Sequence, residues 1–533
     1  MSNHHDDHDV AAVTFDQDDA SVVVIIGSGA GGGTLANELA SKGIDVVVIE
    51  AGSRFTEADF ENDEWAMHER FTWHDKRTTS GSSAIVENFG DTPTVICKGV
   101  GGSTLLWAGM CPRFQDHEFK TRSAYGDVAG ANLADWPLGL EDIAPHYDRA
   151  EDKMGVTGTH GIPRLPANNN FKVMAAGARR LGYGRIDTNN VAVNSKPRDG
   201  RNACDQISFC RQGCTSGAKW STLNAEIPKA EATGRCEVRA NAMVLQIERD
   251  GDGRVRGVIY ADAKGNHQSQ RARIVCVAGN AIETPRLLLN SESGAAPDGL
   301  ANSSGQVGKN YMRHMLGVVY AEFDQPVNFH RGQPVAGVIR DEAHNDPSRG
   351  FVGGYYTMIF GNGLPLYAAS LAPKRWGGDY TSWIEHYDHI ASVALLGEDL
   401  PMETNRVSLH PTERDRFGLP IPNIHIDDHP NEFAMKNYAY KRACALYEAV
   451  GAKRIFEAPP FPNSHNMGSC RMADDPAQGV VNRWGQSHDI DNLFISDGSQ
   501  FTSSMAGNPT LTIVALAIRQ AEYIAEQMRR NDL

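Results

Sequence analysis

A mixed α/β fold in more than one domain is predicted by three features of the sequence. The chain has 533 residues, more than one hydrophobic core usually supports, so two domains are expected. Residues 21–52 read as a buried strand, a glycine-rich turn, a helix and a second buried strand, the order of a parallel βαβ unit. Residues 237–279 alternate apolar and polar residues, broken by "DGDGR" and "AKGN", which are hairpin signals.

The βαβ unit comes first. "VVVII" is short, β-branched and unbroken, as in a strand buried on both faces. Gly27, Gly29 and Gly32 follow, a helix runs to Gly43, and "DVVVIE" ends in Glu50. Gly27 suits a tight turn, Gly29 a close approach of pyrophosphate to the backbone, and Gly32 close packing of helix on strand. The helix N-terminus offers unpaired N–H groups and a positive dipole end to phosphate. Glu50 stands where a carboxylate can accept both ribose hydroxyls. This is a Rossmann-type dinucleotide-binding unit. The loop alone does not separate NAD from FAD, although its place at the chain start leans towards FAD.

Composition narrows the partners. A hydrophobic content of 41% and a charged content of 22% are those of a globular protein. A net charge of −15 argues against nucleic acid and an anionic membrane surface. No run of about 18 apolar residues predicts a membrane span. The N-terminus has no basic region, apolar stretch or twin arginine, so a cytoplasmic protein is expected. Residues 1–19 read as a disordered tail, in which His4, His5 and His8 could catch a divalent metal. Nine cysteines do not make a disulfide scaffold.

At "KGVGGSTLLWAGMCPRF" (98–114) the sequence begins to resemble the glucose–methanol–choline (GMC) oxidoreductase family. Similar segments follow in order: "WPLGLEDIAPHYDRAE", "GCTSGAKWST", "VCVAGNAIETPRLLLNS", "VGKNYMRHM", "NRVSLHPTERDRFGLP" and a C-terminal block from "SHNMGSC" to "MAGNPTLTIVALA". Asn280 departs from the small residue the fourth segment usually carries. The resemblance runs from about residue 20 to the end. It implies an FAD-binding domain assembled from 20–135, 213–310 and 455–533, and a substrate domain of antiparallel sheet and helices from 136–212 and 311–454. It implies non-covalent FAD, since "KGVGGSTLLW" holds no histidine, with Gly101, Gly102, Ser103 and Trp107 against the flavin and Asp497 near the phosphates.

Asn508 is a good N-cap and Pro509 suits a first helical turn, so a helix is predicted from Asn508 to about Met528. The family implies that this helix end, with Pro509 and Thr510, faces the flavin, where a positive dipole end favours a reduced, anionic ring. His465 and Asn508 are the implied catalytic pair. Hydride passes to flavin N5, and an imidazole of near-neutral pKa takes the hydroxyl proton. His314 and His488 are read as structural. Tyr355, Tyr356, Trp383 and His386 are candidates for stacking on or hydrogen bonding to a substrate.

Cys204, Cys210 and Cys214 are spaced x5 and x3. Some bacterial relatives hold an iron–sulfur cluster in such a segment; here Asp205 stands where those carry a second, adjacent cysteine. Three thiolates could still hold a three-iron cluster or zinc; separate thiols are the alternative. The expected function is FAD-dependent oxidation of a CH–OH group, with a sugar, glycoside or related polyol as the favoured donor. The alternatives are an aryl or aliphatic primary-alcohol oxidase using O2, and a non-catalytic flavoprotein interaction subunit. The electron acceptor stays open among quinone, cytochrome, a small partner subunit and O2.

Overall fold

A computed structural model describes residues 13–90, 94–294, 296–372, 375–460, 462 and 464–533. His4, His5 and His8 lie outside them. Two large sheets organise the chain. The first is parallel and five-stranded, in the order Leu493–Ile495, Ile274–Val277, Val23–Ile26, Val46–Ile49, Cys236–Arg239. The strands of the βαβ unit are wholly buried, as their unbroken apolar runs require. Between Cys236–Arg239 and Ile274–Val277 the chain leaves to form a three-stranded antiparallel sheet, Met243–Arg249, Val255–Ala261 and His267–Arg271, turning at the two hairpin signals.

The second sheet is antiparallel and six-stranded: Arg454–Ala458, Met315–Glu322, Ile390–Gly397, Tyr355–Ile359, Val338–Ile339, Ile186–Asp187. Its long strands are buried on both faces, with side chains alternating between them. Met315, Val319, Tyr355, Ile359, Val393 and Leu395 pack with residues of the helices Asn169–Arg180 and Pro430–Glu448. Val318, Tyr320, Tyr356, Met358, Ala394 and Leu396 belong to a second core on the opposite face.

Close backbone packing makes particular glycines obligatory. Gly27 has φ +95°, and a Cβ there would lie 2.5 Å from the Ala278 carbonyl oxygen. Gly32 presses on Gly27, where a Cβ would sit 2.0 Å from the Gly27 carbonyl oxygen. Gly31 is tighter still: its Cβ would fall 1.6 Å from the Ser496 carbonyl oxygen. At Gly29 the nearest atom to such a Cβ is Gly102 Cα, at 3.8 Å.

The segment leading to the C-terminal helix is pinned from two sides. Ser503 Oγ accepts from Trp136 Nε1 (2.6 Å) and donates to the Glu118 carbonyl (2.7 Å). Glu118 Oε1 accepts from Ala506 N at 2.7 Å. The Asp399 backbone exchanges hydrogen bonds with Ser504 Oγ at 2.8 and 2.9 Å. Glu118 and Glu398 place carboxylate oxygens within 4.8 Å of each other. Burial pushes both pKa values up, and the Glu398 charge adds to the rise at Glu118. Among the described residues, no helix is long and apolar enough to cross a membrane.

Two outcomes follow. Gly31→Ala should cost about 3 kcal/mol or more, because backbone cannot yield to the overlap; Gly29→Ala should keep the wild-type melting temperature when both proteins are compared without bound dinucleotide. Calorimetry of both separates them. Carboxylates with raised folded pKa values contribute stability below the ordinary glutamate range that is lost as pH rises. Wild type should therefore lose stability from pH 4.5 towards pH 8, the window of the Glu118 shift. Glu398→Gln should flatten that slope in melting curves against pH; an unchanged slope would discount the pair.

Candidate functional site

Glu50, at the end of the second parallel strand, is buried, and burial raises its pKa. It is held by Ser28 N (3.0 Å) and Ser28 Oγ (2.7 Å) on Oε2 and by Gly52 N (2.9 Å) on Oε1. Its first partners are thus protein groups, with further lone pairs left for a ribose. Ser28 Oγ also accepts from Gly101 N at 3.0 Å, and its carbonyl accepts from Thr222 Oγ1 at 2.7 Å. One serine thereby ties three segments that are distant in sequence. Gly101 and Gly102 have φ of +105° and +52°, and a Cβ on Gly102 would lie 2.8 Å from Gly29 Cα.

These loops border a cavity of about 600 Å³, a size typical of small-molecule sites. Of the expected residues, Gly27, Gly29, Glu50, Gly102, Ser103, Trp107, Asp497, Pro509, Thr510, His465 and Asn508 border it. Gly32 and Gly101 are not among its lining residues; they pack the loops against each other. Trp107 is fixed by Nε1 donating to the Trp220 carbonyl at 2.9 Å and by an edge contact with the Trp220 ring. Asp497 accepts from Asn280 N (2.8 Å), Thr284 Oγ1 (2.6 Å) and Ser499 N (2.7 Å). The asparagine at 280 has a physical reason. Its φ is +83°, and its Oδ1 accepts from Ile282 N and Glu283 N, capping the helix Asn280–Asn290.

The helix near Asn508 begins later than expected. It spans Thr510–Arg530 with Pro509 at the N-cap. Asn508 precedes the cap, and its side chain turns to His465 instead: Nδ2 lies 3.1 Å from His465 Nε2. Asn508 Oδ1 is buried without a hydrogen-bond partner, the mark of a group whose partner arrives with a ligand.

His314 does not stand apart from the site. Met312 and Met467 exchange backbone hydrogen bonds at 2.9 and 3.0 Å in an antiparallel bridge. Two residues out along that register, His314 faces His465, with their Nδ1 atoms 2.8 Å apart. Asn508 Nδ2 can only donate, so His465 Nε2 is the acceptor there, and the proton of a neutral His465 ring sits on Nδ1, facing His314 Nδ1. Burial pushes the His465 pKa down to about 4. This is below the near-neutral value expected, because the ring is buried and its neighbour is a second imidazole instead of a carboxylate. Burial and His465 together hold His314 well below the usual range.

The aromatic candidates go elsewhere. Tyr355 lies on the helix-covered face of the six-stranded sheet. Tyr356 and Trp383 are core residues; Trp383 packs on Phe456 and under Arg375 and Arg454. His386 is exposed, with Nδ1 2.7 Å from the Ser382 carbonyl. His488 Nε2 meets the Ala473 carbonyl at 3.0 Å. Cys204, Cys210 and Cys214 lie near Lys219, whose buried Nζ donates to the carbonyls of Leu105, Trp107 and Cys210. Burial raises the Cys204 and Cys210 thiols to about 11 and about 12. The three sulfurs are not found gathered within 4.8 Å of one another.

The donor set fits a flavin dinucleotide: a glycine cradle closed by a buried carboxylate, a helix N-terminus, and an unpartnered amide oxygen beside an imidazole. Comparison with known proteins agrees. GMC oxidoreductase family models match residues 11–316 and 401–517. The chain is 33% identical to 2-methyl-1,2-propanediol dehydrogenase of Mycolicibacterium austroafricanum, over 96% of both chains. It is 30% identical to paromamine 6'-oxidase of Streptomyces fradiae, over 96% of this chain and 92% of that one. Among solved structures, pyridoxine 4-oxidase from Mesorbium loti superposes with a TM-score of 0.64 at 19% identity, covering 94% of this chain and 98% of its own. The chain belongs to the GMC oxidoreductase family and is an FAD-dependent enzyme that oxidises alcohol or sugar CH–OH groups.

Proposed function

We propose that His465 is the base that accepts the hydroxyl proton and that Asn508 holds the substrate oxygen. The observation that carries this is the hydrogen-bond chain from His314 through His465 to Asn508. FAD, when bound, supplies the hydride acceptor. The protein's part is to place and deprotonate the alcohol. A hydroxyl set between His465 and Asn508 donates to His465 Nε2 and accepts from Asn508 Nδ2. As the O–H bond breaks, the amide and the positive end of the helix Thr510–Arg530 face the developing negative charge. His314 acts through His465: by accepting the Nδ1 proton it fixes the tautomer that leaves Nε2 able to take a proton.

In this reading, Gly27, Gly29, Ser28 and Glu50 hold the dinucleotide, and Gly102, Ser103, Trp107, Pro509 and Thr510 meet its ring end. Any ribose contact adds to bonds Glu50 already makes to Ser28 and Gly52. The relatives' names include a branched aliphatic diol and an aminoglycoside precursor; a carbinol is the chemistry they share.

His465→Ala should slow anaerobic flavin reduction by about 10²–10⁴-fold with FAD still bound; unchanged reduction would remove His465 from the mechanism. A depressed pKa keeps the imidazole neutral over a wider range, so activity is lost only as pH falls through the folded value. Stopped-flow reduction should stay level from pH 8 to about pH 5 and fall by half near pH 4. An acidic limb centred at 6.5 would contradict the buried, neutral base.

A further inference from the structure

We infer that the alcohol taken by this site has an apolar body, an alkyl or aryl alcohol carrying at most one further hydroxyl, in preference to a polyhydroxylated sugar. This rests on the proposed catalytic pair and adds the substrate class. The alternation along the six-stranded sheet turns Leu316, Met358 and Leu396 towards the cavity, and Val335 and Phe360 extend that wall. None offers a hydrogen bond to a hydroxyl.

Most polar side chains on the same side are committed to the protein; His68, on the cavity border, has its Nδ1 engaged by Thr72 Oγ1. The Glu64 carboxylate accepts from Gly363 N and Leu366 N at 2.8 and 2.9 Å, capping the helix Leu364–Leu371. Asn362 donates to Tyr320 Oη at 3.2 Å and accepts from Arg211. Arg211 also donates to the Gly361 carbonyl at 2.9 Å and lies 4.8 Å over the Phe360 ring. Ser370 Oγ donates to the Tyr367 carbonyl at 2.7 Å and meets Tyr320 Oη at 3.0 Å. Gln212, which also borders the cavity, offers one amide for a second hydroxyl. Asn508 Oδ1, beside His465, is a buried, unpartnered polar atom in the cavity.

A pyranose would bring several hydroxyls, strip them of water and leave most of them facing methyl and methylene groups, which sites of this kind reject. An alkyl or aryl group would cover the same wall without that loss. Trp65, an exposed residue on the cavity border, continues the apolar surface outward.

The test is anaerobic stopped-flow reduction of the unmodified holoenzyme by 1-hexanol, benzyl alcohol, D-glucose and methyl glucoside. The ratio of reduction rate to Kd should favour the apolar alcohols by about 100-fold or more. Met358→Gln, which sets an amide into the wall, should narrow that ratio about tenfold. Sugars reducing the flavin as well as or better than hexanol would overturn the substrate class and leave the catalytic pair standing. If no donor reduces a flavin that dithionite does bleach, the reading of the pair fails and the substrate class with it.

Discussion

The site depends on a short antiparallel register between two loops. Met312 and Met467 bond backbone to backbone, and this register brings His314 opposite His465. A carboxylate in that position would raise the His465 pKa by stabilising the imidazolium. A second, neutral imidazole brings no such charge. It draws the His465 proton to Nδ1 and points the lone pair of Nε2 at the amide of Asn508. Burial, which disfavours charge on either ring, keeps the chain neutral. A base of lowered pKa is a weak acceptor, so in the role proposed for it His465 contributes through placement more than basicity.

The nucleotide end is built on a similar economy of partners. Ser28 links the first glycine loop to Glu50 and to Gly101, so the two glycine-rich segments meet only if that hydroxyl is in place. The glycines around it are needed because backbone packs on backbone there: Gly27 on Ala278, Gly31 on Ser496, Gly102 on Gly29. A cradle closed this tightly has little room to adjust. The cavity then runs from this end to the His465–Asn508 pair, bounded by the second sheet.

Much of this was legible from the residues. Unbroken β-branched runs gave the parallel strands, hairpin signals gave the three-stranded sheet, and the glycine spacing gave the turn at Gly27. The partnership of His465 with Asn508 was readable through family resemblance, and the structure brings the two side chains together. What sequence could not show was register. His314 sits in "NYMRHM" with no local sign that it faces residue 465, because that pairing is set by hydrogen bonds across 155 positions at Met312–Met467. The aromatic candidates fail for a related reason. Tyr355 and Tyr356 are adjacent in sequence, but alternation sends Tyr355 to the helix-covered face and Tyr356 to the opposite face, with Met358 and Leu396. Asn508 looked like a helix cap because Asn-Pro usually is one; the tertiary partner at His465 took its side chain.

The most direct measurement of the central claim is the protonation state of the His465 ring, read from ¹⁵N chemical shifts of selectively labelled histidine, with His465→Gln used for assignment. The account predicts a neutral ring at pH 7 with its proton on Nδ1 and none on Nε2, unchanged on lowering to pH 5. A positively charged ring at pH 7, or a neutral ring with its proton on Nε2, would contradict it.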